Sequence, residues 1–201
     1  MTTKKIRFVT DSTCDLPQEI LARYPIDVLP CYINYNNESL ADDGVALIRE
    51  NFYHRMADMR PPYPTTSAMA PGMAEEVITR AAEQADHVFI VSVASALSGV
   101  YNVMRLGAGK LPADRYTLID SQTTTLGLGF QVWAGAETAE ATGDIDRTRE
   151  DKWANALQRF SRDEVLRALR ANQSFITRYT PEWIDFMRGM ADGASRAGVP
   201  G

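Results

Sequence analysis

Four clusters of hydroxyl-bearing residues could do chemistry in this 201-residue chain: Asp11, Ser12 and Thr13; Thr65, Thr66 and Ser67; Ser95 and Ser98 beside Gly99; and Asp120 and Ser121, followed by Thr123, Thr124 and Thr125. Hydroxyls placed where a helix begins share their space with the helix's unpaired N–H groups and the positive end of its dipole. Together they make a seat for a small anion such as a carboxylate or a phosphate. Gly99 lets a ligand come close to the backbone. Simpler roles stay open at each place: Ser98 as a helix N-cap, Asp11 as the acceptor of its own turn, and Thr65–Ser67 as an exposed polar loop.

Catalysis has less material. Ser98 as a nucleophile, with Asp11 or Asp120 as its base, would act on a small anionic substrate, but a serine needs an adjacent base and no His or Lys has a claim to that role. The two histidines, His54 and His87, read as surface or strand-edge residues. The two cysteines, Cys14 and Cys31, belong to no metal-ligand spacing, so neither a zinc site nor another metal is expected. Nothing resembles a phosphate-binding P-loop.

These clusters need elements to position them, and the pattern supplies strands alternating with helices. Ile6–Thr10 is a first strand, followed by a helix to about Arg23 with Pro17 in its first turn and Asp15 as its cap. Residues 26–35 read as one strand with Pro30 at an edge or bulge, and Asn36-Asn37 as a turn before a short return at 38–42. Val45, Ile48, Phe52 and Met56 recur at helical spacing, which predicts a core-facing helix over 45–59. Thr65–Ser67 falls in a loop, and Pro71 opens a helix through Gln84. Val88–Val93, short and β-branched, predicts a strand covered on both faces, with a helix beginning near Ser98. Tyr116–Ile119 is a further buried strand, and a helix follows over 126–141 with Gly127 and Gly129 at close-packing positions. This is an α/β chain: a parallel-sheet βαβ N-terminal domain over 1–141, whose ligands are expected beyond the carboxyl ends of the strands, followed by a short, mainly helical C-terminal part over 142–201. Helices are predicted there over 145–159, from Ser161 to Leu169, and from Thr180 onward.

Composition narrows the function classes. With 45% hydrophobic residues the chain can bury a core, and a net charge of −5 without a Lys/Arg cluster argues against a nucleic-acid surface. There is no integral membrane segment in the hydropathy pattern and no signal-like start, so a cytoplasmic protein is expected.

The assembled motifs resemble the DegV family: Val9–Pro17 (VTDSTCDLP), Thr65–Ser67 with Pro71-Gly72, Ser95 and Ser98-Gly99 with Tyr101, and Ile119–Ser121 followed by Gly127 and Gly129. They stand in the family's order over about two thirds of the chain. The resemblance implies a fatty-acid-binding protein, the non-catalytic subunit that presents a long-chain fatty acid to the catalytic subunit of a fatty acid kinase. It implies that Thr65, Thr66 and Ser98, with the Gly99 N–H, hold the carboxylate, and that Asp11, Ser12, Ser67, Ser95 and Ser121 are secondary contacts. No cofactor is implied beyond the bound fatty acid. Three departures stand out: Ala68-Met69-Ala70 where the family is more polar, Val100 where it often has Thr, and a tail shorter than the family's second α/β domain. That tail reads as a remnant or a replacement of the second domain. Left open are a degenerate chain that no longer binds lipid, a truncated or frameshifted one, and one that closes its pocket with the tail or as a homodimer.

Overall fold

The structure, a computed structural model, describes residues 3–56 and 58–150. Four parallel strands form its centre in the order β2-β1-β6-β7: β1 (Ile6–Asp11), β2 (Ile26–Leu29), β6 (His87–Ser92) and β7 (Tyr116–Asp120). Every residue of β6 is buried, as its unbroken apolar run predicts. Phe8 of β1 stands opposite Phe89 of β6 in the register, and their rings stack at 5.4 Å. Fully burying each of these rings contributes about 1.5–3 kcal/mol. The expected burial of Tyr116–Ile119 is only partial, because β7 lies at the edge of this sheet among the described residues.

The connections set where a ligand can sit. The chain leaves β1 through a 3₁₀ turn (Ser12–Cys14) and α1 (Gln18–Arg23) to β2 on one side, and leaves β6 through α4 (Val100–Ala108) to β7 on the other. The direction of winding therefore reverses between β1 and β6. In open parallel sheets the crevice at such a reversal, beyond the strands' carboxyl ends, is the place for ligands. The turns after Asp11 and after Ser92 flank it.

A second sheet occupies the connection from β2 to β6, antiparallel in the order β4-β3-β5: β3 (Tyr32–Tyr35), β4 (Glu38–Ala41) and β5 (Thr65–Ser67). Residues 26–35 are thus two strands in two sheets, not one. Pro30, which has no N–H to give a ladder, stands between them. Asn36 and Asn37 both take positive φ, 48° and 65°, as a two-residue hairpin turn demands.

The predicted helix over 45–59 shrinks to α2 (Arg49–Met56). The Asp43 carboxylate accepts from the Val45 and Ala46 N–H groups and folds 43–46 into a turn, so Val45 never joins the helical period. Val45 is 84% exposed, Ile48 53% and Met56 46%; the buried members of this region are Leu47, Phe52 and Met59, packed with Ile33, Tyr35 and Leu40. That row was expected to be core, and only Phe52 is.

The two long helices behave as their sequences suggest. α3 (Pro71–Glu83) starts on its proline and meets α4 where Gly107 faces Ala74; a Cβ on Gly107 would lie 2.9 Å from Ala74. α5 (Thr125–Thr142) is rich in small residues and is buried from Leu128 to Ala136. Gly129 brings it against the 3₁₀ turn, where a Cβ would collide with the Cys14 carbonyl. α5 ends at Gly143, in the left-handed conformation at φ 56°. α6 (Ile145–Glu150) is helical as predicted over its described length. The helices predicted from Ser161 and from Thr180 lie outside the described residues.

His87 corrects another expectation. It is fully buried, with Nδ1 3.0 Å from the Asp114 carbonyl and Nε2 2.9 Å from the Thr117 hydroxyl. Burial holds its pKa below the ordinary histidine value.

Candidate functional site

Three strands of the parallel sheet end together, and their turns are stitched to one another. Asp11 closes β1, and its carboxylate is fully buried. Oδ2 accepts from the Val93 N–H at 2.8 Å across the β1/β6 reversal, and Oδ1 accepts from the Thr13 N–H at 3.0 Å and the Thr13 hydroxyl at 2.5 Å. Burial pushes its pKa up and the three donors pull it back. Asp11 is therefore a clasp between two turns. Its oxygens are engaged within the fold and it is closed to solvent.

The β6 turn is tied to the β7 turn in the same way. Asp120 Oδ2 accepts from the Ser95 hydroxyl at 2.5 Å, and Oδ1 accepts from the Ser95 N–H at 3.1 Å and the Gln122 N–H at 3.0 Å. These donors, the Ser95 hydroxyl foremost, hold the Asp120 pKa below the usual carboxylate range. The Ala94 N–H donates to the Thr123 carbonyl at 2.9 Å, and the Ser121 N–H to the Ser92 carbonyl at 3.1 Å. Ser121 itself is buried, donating its hydroxyl proton to the Thr123 carbonyl.

Within the β6 turn, the Leu97 and Ser98 N–H groups both bond the Ala94 carbonyl. Gly99 takes the N-cap position of α4, and the half-buried Ser98 hydroxyl oxygen accepts from the Val100 N–H at 3.3 Å. The simpler role foreseen for Ser98 is thus partly realised: it satisfies one donor of the helix's first turn. Its own hydroxyl proton has no acceptor among the described residues.

The threonine segment is a strand, not a loop, because β5 pairs with β3. Cross-strand partners share a face, and successive residues alternate. Thr66, opposite Ile33, therefore lies on the face of Ile33 and Leu40, which packs on Leu47 and Phe52. Thr65 and Ser67 lie on the other face with Asn34 and Tyr32. There the Asn34 side-chain amide donates to the Ser67 hydroxyl oxygen at 3.1 Å, and the Tyr32 hydroxyl reaches the Met73 sulfur of α3 at 3.6 Å. Thr65 and Thr66 are exposed and have no side-chain partner among the described residues. No hydrogen bond joins Thr65, Thr66 or Ser67 to Ser98.

An Arg-centred network, which sequence reasoning missed, braces the small sheet against the β1 turn. Arg49 donates to Asp42 through Nε (2.8 Å) and Nη2 (2.7 Å), to Asp15 through Nη1 (2.6 Å), and to the Ser12 carbonyl (3.0 Å). The two carboxylates hold its guanidinium firmly protonated. Asp15, expected to cap α1, instead adopts φ 50° and turns to Arg49; Pro17 takes the N-cap position without a side-chain bond. Ser12, also buried, accepts from the Cys31 N–H at 3.1 Å. Burial pushes the Cys14 thiol up to about 12 and the Cys31 thiol up to about 11.

A count of uncommitted protons sorts the candidates. Ser95 gives its proton to Asp120, Ser121 to a carbonyl, and Thr13 to Asp11. Ser98, Thr65, Thr66, Thr124 and Thr125 keep theirs, as does Ser67, whose oxygen only accepts. The arrangement can donate to an anion through these hydroxyls and through the first-turn N–H groups of α4. No hydrogen bond joins the Ser98 hydroxyl to Asp11 or Asp120. Among the described residues no three His, Cys, Asp or Glu side chains gather as metal ligands would, and no helix is long and apolar enough to cross a membrane.

Known proteins share this sequence pattern and fold. The sequence profile of the family described as "Uncharacterised protein, DegV family" matches residues 5–158. A DegV domain-containing protein of Clostridium perfringens is 34% identical over 137 residues, covering 68% of this chain and 48% of that protein. One from Deinococcus radiodurans is 34% identical over 170 residues, covering 83% and 59%. Among solved structures, a fatty-acid-binding DegV family protein from Thermus thermophilus superimposes with a TM-score of 0.66 at 30% identity, covering 72% of this chain and 51% of that one. A Thermotoga maritima protein with a reported fatty acid binding function shares the fold at 23% identity, with a TM-score of 0.65 over 73% and 53% of the two chains. The chain spans about half the length of the relatives it matches.

Proposed function

The chain belongs to the DegV family, and from that premise we propose that it binds a long-chain fatty acid and presents it, in the cytoplasm, to the catalytic subunit of a fatty acid kinase. The acid's carboxylate accepts from the Ser98 hydroxyl, from the hydroxyl of Thr65 or Thr66, which lie on opposite faces of β5, and from the Gly99 N–H at the start of α4. The protein itself performs no chemistry and needs no cofactor. The observation that carries this reading is the proton count: the Ser98, Thr65 and Thr66 hydroxyls remain free to donate, as do Thr124 and Thr125 after β7, while Ser95 and Ser121 are committed within the fold. Neutral donors suit a monoanion, since charge-assisted hydrogen bonds hold it without a full countercharge. Each methylene of the tail removed from water adds about 0.8 kcal/mol.

Full-length protein purified under non-denaturing conditions from a lipid-replete host carries acyl chains of long-chain fatty acids by native mass spectrometry. Ser98→Ala then raises the Kd for palmitate about 10- to 150-fold, the equivalent of one charge-assisted hydrogen bond of about 1.5–3 kcal/mol. A well-folded sample without bound acid, and without affinity for added palmitate, would overturn the reading.

A further inference from the structure

We propose that Asp120 is a positioning residue of the head-group seat: it clamps the turn that presents Ser98 and Gly99, and it turns the Ser95 hydroxyl away from the ligand. This deepens the fatty-acid reading and rests on it. Asp120 lies at the end of β7, 25 residues from Ser95 in sequence, and takes both donors Ser95 offers, the N–H at 3.1 Å and the hydroxyl at 2.5 Å. Ser95 begins the turn in which the Leu97 and Ser98 N–H groups close onto the Ala94 carbonyl, so fixing Ser95 fixes the path of the chain into Gly99. The same carboxylate holds the Gln122 N–H at 3.0 Å, and Gln122 is a non-glycine residue at φ 55°, a conformation that needs outside support.

The second half of the inference concerns selectivity. Ser95 stands one turn before Ser98 and looks like an additional carboxylate donor. With its proton on Asp120 it shows a ligand only lone pairs, and the Asp120 charge stands behind it. A seat with one hydroxyl withdrawn and one negative charge beside it accepts a singly charged carboxylate more readily than a head group carrying two charges.

The experiment compares Asp120→Ala and Asp120→Asn in the full chain, measuring Kd for palmitate and for its uncharged analogue hexadecanol by displacement of a fluorescent fatty acid. Asp120→Ala lowers the preference for acid over alcohol at least about fivefold, because the head-group donors lose their alignment while the alkyl contacts stay. Asp120→Asn keeps an acceptor for the Ser95 and Gln122 N–H groups and donates to the Ser95 oxygen. It frees the Ser95 proton and removes the charge, so it keeps or raises that preference. Loss of overall affinity with an unchanged acid-to-alcohol ratio in Asp120→Ala means a merely structural role and overturns the proposal, as does an Asp120→Asn variant indistinguishable from Asp120→Ala. Should even the wild type bind no acid, the functional reading fails separately. The clamp is then decided by amide hydrogen exchange over residues 95–99, which Asp120→Ala accelerates at least about tenfold if Asp120 holds the turn and leaves unchanged if it does not.

Discussion

Replacing Asp11 by alanine removes the one side chain that, among the described residues, hydrogen-bonds the exit of β1 to that of β6. The Val93 N–H, bonded at 2.8 Å to a fully buried carboxylate, is left without an acceptor, and such a charged hydrogen bond is worth about 1.5–3 kcal/mol. The two Thr13 donors lose their acceptor as well, but they stand nearer to solvent and recover part of their bonding from water. Against these losses stands the relief of a desolvated charge, so the net cost is about 3 kcal/mol. Asp11→Asn separates the contributions. Its carbonyl oxygen can still serve Val93 while its amide donates to the Thr13 hydroxyl oxygen, leaving only the Thr13 N–H, and the cost falls to about 1 kcal/mol. Urea unfolding followed by far-UV circular dichroism reads both values. At about 2–4 °C per kcal/mol for a chain of this size, the alanine variant melts about 6–12 °C lower than wild type. Equal stability of the alanine and asparagine variants, or an alanine variant within 0.5 kcal/mol of wild type, would refute the clasp and reopen Asp11 as a group available to a ligand.

Other substitutions and conditions test the neighbouring elements. Gly129→Ala drives a methyl group into the Cys14 carbonyl and costs at least about 1–3 kcal/mol, whereas Gly99→Ala meets open space and leaves thermal stability within about 0.5 kcal/mol. With Cys14 at about 12 and Cys31 at about 11, neither thiol reacts appreciably with a disulfide reagent at pH 8 in the native protein, and both react promptly in guanidinium chloride; fast native labelling would contradict the burial of Cys14 and the partial burial of Cys31. The depressed pKa values of Asp43 and Asp120 stabilise the fold above their unfolded values, and that stability is lost as pH falls through the folded values, below about pH 4. The double variant Asp43→Asn/Asp120→Asn therefore shows a shallower loss of stability on acidification than wild type, read as midpoints of urea unfolding.

Much of the parallel sheet was legible because its strands carry their own signal. Val88–Val91 is an apolar, mostly β-branched run that suits a doubly covered strand, and the polar residues after Thr10, Ala94 and Ile119 mark where each strand leaves the sheet. Features that depend on distant partners were not legible. Arg49 finds Asp15 34 residues away, and His87 finds Asp114 and Thr117 27 and 30 residues away, so nothing local distinguished a buried histidine from a surface one. The helical row from Val45 failed for a local reason, since Asp43 bends the chain before the period can start. The division of Thr65 and Thr66 between opposite faces appears only once β5 is known to pair with β3. At the candidate site, residue types point to an anion seat that binding experiments have to test, but which hydroxyls keep a free proton depended on acceptors contributed by other strands.

Chemical-shift mapping with palmitate is the most direct test of that seat. On titrating the full-length, isotopically labelled protein, the amides of Thr65–Ser67 and of Ser95–Tyr101 shift together along one binding curve, and Ser98→Ala moves that curve to higher palmitate. Shifts confined to one of the two segments, or independent binding curves for each, would contradict a shared head-group seat.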